Sequence, residues 1–123
     1  MMRTLFLLLT LLCPTATLAQ VLGYACAFEQ ICVERLSCQP SDLEVLVNST
    51  SETAATLTTG GRELTAQILR DPSLEARSYV TGLEFNTIHL LTIFRDGGAR
   101  FTIHTPVSDL QSMVHIGQCE IAP

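Results

Sequence analysis

Three histidines, His89, His104 and His115, are the side chains of this sequence best suited to bind a transition metal or to titrate near neutral pH. His89 and His104 lie in neighbouring apolar segments separated by a glycine-containing turn. Whether they could act together depends on which residues form that turn.

Two hairpin registers are open. If Asp96-Gly97 is a two-residue turn, His89 and His104 lie directly opposite each other on adjacent strands. If Gly97-Gly98 is the turn, His104 lies opposite Leu91 and the pair is lost. The first register makes the two histidines weak candidates for a metal site or a pH-sensitive patch. We expect no resident metal or other cofactor.

No arrangement typical of a catalytic site is present. The sequence lacks the G-x-S-x-G and H-E-x-x-H motifs that place a nucleophile or a catalytic metal. Ser108-Asp109, beside Pro106, is typical of a turn. We therefore expect no catalytic residues and no enzymatic activity.

Four cysteines remain if residues 1–19 are removed with Cys13, and they allow three disulfide connectivities that sequence alone does not separate. Because Cys26 falls in the first predicted strand and Cys119 in the last, we favour Cys26–Cys119, with Cys32–Cys38 closing the loop between strands. The spacing lacks the close cysteine pairs of structural zinc sites, and there is no C-x-x-C redox motif.

Residues 1–19 have the plan of a cleavable signal peptide. Arg3 precedes a short apolar stretch, and small residues end at Ala19, which predicts cleavage before Gln20. The apolar stretch is too short to span a membrane, and no later segment is longer, so we expect no membrane span after cleavage. Residues 20–123 have the length of a single domain, and an even number of cysteines fits a periplasmic or secreted location.

The charge balance argues against a nucleic-acid partner. All seven basic residues are arginines, and the whole chain has a net charge of −5. Loss of Arg3 with the signal peptide leaves the exported part still more acidic. Proteins that bind nucleic acids or anionic membranes carry basic patches instead.

The pattern of apolar residues predicts an all-β fold. It alternates with period two and is interrupted by turn residues every eight to twelve positions. We predict an antiparallel meander of about seven or eight strands, closing as a barrel or a sandwich with two disulfides. The predicted strands cover 22–29, 43–48, 53–58, 62–69, 76–85, 88–95, 99–105 and 113–119, and a cysteine loop covers 30–40.

Three local features refine this prediction. Gly60-Gly61 favours a two-residue hairpin turn, and a helix over 63–69 is the alternative to the strand that follows it. In the final meander, the face with Leu90, Thr92 and Phe94 is predicted to join the core, together with that of Ala99, Phe101 and Ile103.

The cysteine pattern resembles that of a known group. The segment from Tyr24 through Cys26 and Phe28 to Cys32 and Cys38, with Gly117-Gln118-Cys119-Glu120 at the end, resembles a group of uncharacterised small exported proteins of alphaproteobacteria. This resemblance implies a bacterial periplasmic location and transfers no activity.

A looser similarity links the chain to secreted inhibitors of C-type lysozyme, which are small β-barrels with an N-terminal Tyr-x-Cys. Their Ser-Gly-x-x-Tyr loop and functional lysine are not reproduced; the chain has Arg77-Ser78-Tyr79 and no lysine. The similarity implies a small barrel and, more weakly, an inhibitory function.

Two functions follow as expectations. The first is a non-catalytic binding module that recognises another exported protein or an envelope component, with loops 70–78 and 106–112 as the contacts. The alternative is a periplasmic carrier of a small ligand or metal, using a barrel mouth lined by Tyr24, Phe28 or Phe85, or the two histidines.

Overall fold

The computed structural model describes residues 23–34, 36–71, 75–83, 86–105 and 111–122. They form eight antiparallel strands, each paired with the next, and the last strand pairs with the first. The all-β prediction is confirmed, and the sheet closes as a barrel rather than a sandwich. The predicted signal peptide lies outside the described residues. The strands are β1 (Gly23–Val33), β2 (Gln39–Ser49), β3 (Ala54–Thr59), β4 (Arg62–Asp71), β5 (Ala76–Thr81), β6 (Ile88–Ile93), β7 (Gly98–Thr105) and β8 (Gln111–Ala122).

The interior of the barrel is filled by its own side chains. Because side chains alternate across each strand, every second residue points inward. The bulkiest fully buried side chains are Tyr79, Phe28, Phe101, Leu57, Leu64, Leu91, Val45 and Val47. Small residues on the same inner faces, such as Ala55, Ala66 and Ala99, leave room for the large ones.

The hairpin between β3 and β4 is the one that the Gly-Gly pair predicts. Thr59 pairs with Arg62, so Gly60 and Gly61 are the two turn residues. Their φ angles of 55° and 76° are both in the left-handed region, as a type I′ turn requires. The strand over 63–69 is thereby confirmed, and the helical alternative is wrong.

The predicted cysteine loop is shorter than expected. β1 continues to Val33 and β2 begins at Gln39, so most of 30–40 belongs to the sheet. The ladder between β1 and β8 shifts register between Phe28 and Gln30, which leaves Glu29 as an extra residue in a bulge. A bulge lets a strand bend and continue, whereas the interrupted alternation in the sequence suggested that the strand ended there.

The two predicted disulfides are both present. Cys26 on β1 and Cys119 on β8 are direct cross-strand partners, and their bond fastens the pair of strands that closes the barrel. Cys32–Cys38 joins the end of β1 to the residue before β2. The first bond is buried among core side chains, whereas Cys38 is exposed.

Candidate functional site

One end of the barrel holds a cleft of about 610 Å³. At this end of the barrel, β1, β5 and β7 begin and β4, β6 and β8 end. Three of the seven arginines line the cleft, so we call it the arginine cleft. The residues that define it are Tyr24, Arg70, Glu75, Arg77, Arg95 and Ile121.

Strand alternation explains why these side chains converge. Arg77 precedes the buried Tyr79 by two positions on β5, and Arg70 follows the buried Ile68 by two on β4. Arg70 and Arg77 are direct partners in the β4–β5 ladder. Two like charges directly opposite each other on one face destabilise a sheet unless an anion lies between or beside them.

A buried polar cluster lies beneath the arginines. The Tyr79 hydroxyl, the Ser49 hydroxyl and Nη1 of Arg77 are buried, and in the described part of the chain none makes a hydrogen bond of ordinary geometry, although Arg77 and Ser49 both interact with the Tyr79 hydroxyl. Burial raises the pKa of Tyr79, and the neighbouring Arg77 guanidinium partly opposes that rise. The Arg77 guanidinium carbon lies over the Tyr24 ring, 5.9 Å from its centroid. This cation–π contact fixes the guanidinium at the cleft wall.

The rim of the cleft contains one ion pair. Arg95 Nη1 lies 2.6 Å from Glu75 Oε2, and both side chains are largely exposed. The Asp96 carboxylate accepts a hydrogen bond from the Gly98 amide at 2.8 Å, which holds the β6–β7 turn. Arg70 and Arg77 form no ion pair with any carboxylate whose side chain the structure describes.

A second depression, of about 690 Å³, lies on the outer wall where β1, β2 and β8 meet. Glu29, Glu44 and Glu120 border it, so its character is acidic. The described residues at this wall include no buried polar side chain without a partner. The arginine cleft is therefore the stronger candidate for a binding site.

Neither predicted register of the β6–β7 hairpin is correct. The turn is a three-residue loop, Arg95 to Gly97, in which the Gly97 amide donates to the Phe94 carbonyl and Gly97 has a φ of 88°. His89 pairs with Ile103, and His104 pairs with Ile88. Because the histidines are one step out of register, they lie on opposite faces of the sheet.

The same shift inverts the predicted face of β6. Leu91 and Ile93 are buried, whereas Phe94 is exposed. Apolar residues occupy both faces of this strand, so alternation alone did not identify the inner one. The predicted inner face of β7, with Ala99, Phe101 and Ile103, is correct.

The histidines occupy three different environments. His89 stacks on Phe101 with ring centroids 5.6 Å apart, and its amide donates to Thr81 Oγ1. His104 is exposed. His115 is buried and its Nδ1 lies 3.2 Å from Ser41 Oγ. Across the described ranges, no three His, Cys, Asp or Glu side chains are grouped as metal ligands.

The residues predicted to line a barrel mouth have different positions. Tyr24 lines the arginine cleft, whereas Phe28 is a fully buried core residue. Phe85, Ser108 and Asp109 lie outside the described residues, as does most of loop 106–112. Of loop 70–78, the described residues Arg70, Glu75 and Arg77 all line the cleft.

Sequence reasoning placed Arg77 only within the contact loop 70–78 and did not identify its cluster with Tyr79 and Ser49. The signal that could have identified it is the alternation Arg77-x-Tyr79-x-Thr81, which places a cation on the inner face of a strand. Arginine is seldom buried without a partner, so an inward-facing arginine indicates either an ion pair or a ligand site.

Comparison with known proteins adds no relative. No protein-family model matches the chain, and neither a curated protein nor a solved structure matches it. The described residues contain no helix with the length and hydropathy that a membrane crossing requires.

Proposed function

We propose that the chain is an exported, non-catalytic binding module that recognises another exported protein or an envelope component through the arginine cleft. The observation that carries this proposal is the direct pairing of Arg70 with Arg77 at the mouth of a barrel whose interior is already packed. A rigid scaffold with two facing arginines at one end is suited to recognition rather than to internal transport.

The location belongs to the same proposal. Two disulfides are consistent with an oxidising compartment, and the resemblance to small exported proteins favours the bacterial periplasm. The packed interior counts against a small-ligand carrier, because Phe28 and Phe101 fill the space that a ligand would need. The separation of His89 from His104 counts against a metal carrier of the kind that pairs them.

The test is affinity capture with matched variants. The oxidised domain, residues 20–123, serves as bait against a periplasmic extract of its own organism. Arg70→Glu reverses one charge at the cleft, and Arg100→Glu reverses an exposed charge on the outer face of β7. We expect wild type and Arg100→Glu to retain the same partner and Arg70→Glu to lose it.

Two results would overturn this function. One is capture that is unaffected by Arg70→Glu, since binding would then use another surface. The other is that none of the three baits captures a partner.

The intact mass of the captured partner should also be unchanged after incubation with the domain, because a mass change would indicate a catalytic reaction.

A further inference from the structure

The Arg77 guanidinium lies where the cleft meets the buried polar cluster. Its Nη1 is buried beside the Tyr79 hydroxyl, with which Arg77 interacts, and Arg77 also lines the cleft. The guanidinium carbon lies over the Tyr24 ring, and the N–H groups of a guanidinium lie in its own plane. The half-buried guanidinium has lost part of its hydration, so an anion in the cleft would stabilise it through a charge-assisted hydrogen bond.

The charge of the cleft fits a single negative charge. Glu75 is already paired with Arg95, and the Asp96 carboxylate is engaged by the Gly98 amide. Among the described residues, the charged side chains that line the cleft are three arginines, Glu75 and Asp96, so their sum is one positive charge. A carboxylate would neutralise it, and it also matches the planar fork of a guanidinium in a bidentate contact.

The cleft also offers an apolar wall. Ile121 is 70% exposed and Phe94 43% exposed, and both line it together with Ile93 and Tyr24. The ligand that complements the whole cleft therefore carries a carboxylate close to an apolar group. In a protein, the C-terminal residue combines both on one Cα atom when its side chain is apolar.

We propose that the arginine cleft binds the C-terminal carboxylate of a partner protein that ends in an apolar residue. The inference rests on the proposed function, since it names the group that the binding module recognises. Arg77 binds the carboxylate, with Arg70 beside it, and the wall formed by Phe94 and Ile121 contacts the terminal side chain. Tyr24 is a positioning residue that orients the guanidinium.

The first test uses the wild-type domain and three synthetic hexapeptides measured by isothermal titration calorimetry. One ends in leucine with a free carboxylate, the second is the same peptide as its C-terminal amide, and the third ends in glycine with a free carboxylate. We expect the first to bind about 10- to 100-fold more tightly than the amide, which is the range expected for a charge-assisted hydrogen bond. The glycine peptide should also bind more weakly, because it lacks the apolar contact.

Competition distinguishes other sources of the same chemistry. Octanoate supplies a carboxylate on an apolar chain without a peptide, and inorganic phosphate supplies a multivalent anion. The inference is overturned if octanoate displaces the leucine peptide as effectively as unlabelled peptide does, or if phosphate does so. It is also overturned if the acid and the amide bind equally or if neither binds.

Variants then assign the contact to Arg77. Arg77→Gln should abolish the preference for acid over amide, while the control Arg100→Gln should retain it. Thermal melting of each variant shows whether the barrel is intact, and the exposed Arg70→Gln provides a second reading if Arg77→Gln does not fold. An unchanged preference in folded Arg77→Gln and in Arg70→Gln would contradict the assignment.

The two proposals can fail separately. If Arg70→Glu abolishes partner capture but the wild-type domain does not discriminate acid from amide, the cleft is a binding surface for another group. If the acid peptide binds selectively but no partner is captured, the chemistry of the cleft stands and the proposed function fails.

Discussion

The imidazole of His115 is enclosed in the barrel near two aromatic rings. Its ring centroid lies 6.2 Å from that of Phe28 and 6.3 Å from that of Phe101, and Ser41 is its hydrogen-bond partner. Burial lowers the pKa of His115 below its ordinary value. The neutral imidazole is therefore the form that the folded protein accommodates.

This environment predicts that stability declines on mild acidification. The unfolded chain takes up a proton at His115 near the ordinary pKa of about 6.5, whereas the folded chain resists protonation to a lower pH. The stability is full above pH 6.5 and falls as the pH drops from there toward the lowered pKa. Urea denaturation at pH 7.5 and 5.5 should show a lower midpoint at the acidic pH.

Two variants distinguish the contribution of His115 to this pH dependence of stability from that of other titratable groups. His115→Gln should reduce the difference between the two midpoints, and His104→Gln, at an exposed histidine, is the matched control. Equal pH dependence in wild type and His115→Gln would show that another group is responsible.

The contacts within the site could not be predicted from the sequence, because they join residues on different strands. Alternation places Arg77 and Tyr79 on one face of β5, but it does not say that Arg70 is the partner of Arg77 across the ladder. That partnership depends on the length of the β4–β5 turn. The same limitation applies to Ser41 and His115, which are 74 residues apart in sequence and meet only in the folded barrel.

At the scale of strands, the close contact between β1 and β8 requires a glycine at position 117. A Cβ atom added to Gly117 would overlap the Ala27 carbonyl oxygen and lie 2.6 Å from the Phe28 Cα. This close approach occurs at the bulge around Glu29. Gly117 thus allows β8 to follow β1 through the bend.

Gly117→Ala should destabilise the barrel by about 2–3 kcal/mol, because the backbone of β1 or β8 must move to admit the methyl group. Gly82→Ala is the matched control, since a Cβ atom there meets nothing within 4 Å. Chemical denaturation of both variants measures the difference. Comparable free energies of unfolding for the two variants would mean that the backbones of β1 and β8 can move apart with little loss of stability.

The inner face of a strand was predicted correctly where only one face is apolar and wrongly where both faces are apolar. On β7, Ala99, Phe101 and Ile103 alternate with Arg100 and Thr102, and the inner face was identified correctly. On β6, the adjacent residues Leu90 and Leu91 point to opposite faces, so the apolar pattern fits either face. The register set by the three-residue turn determines which of the two faces is buried. A one-residue error in that turn moves every side chain of the strand to the other face.

At the scale of the whole molecule, the two disulfides close very different loops. Cys26 and Cys119 are separated by 93 positions, and Cys32 and Cys38 by 6. In the chain-entropy model, a longer closed loop removes more freedom from the unfolded chain. The closing bond of the barrel is accordingly the more important of the two for stability.

Replacing both Cys26 and Cys119 by alanine should lower the free energy of unfolding by about 4–5 kcal/mol, and replacing Cys32 and Cys38 by about 2 kcal/mol. Urea denaturation of the two double variants at the same pH gives both values. Peptide mapping without reduction confirms the pairing in the wild type. A larger loss for the Cys32 and Cys38 variant would contradict the loop-entropy argument.

The position of Cys119 also imposes an order on oxidation. Cys26, Cys32 and Cys38 lie in β1 and just before β2, whereas Cys119 lies in the last strand. A chain that enters an oxidising compartment by its N-terminus exposes three thiols well before the fourth, and nearby thiols meet more readily than distant ones. If Cys32 pairs with Cys38 first, Cys26 stays reduced until Cys119 arrives, whereas a bond from Cys26 to either of them must be exchanged before the native pair can form.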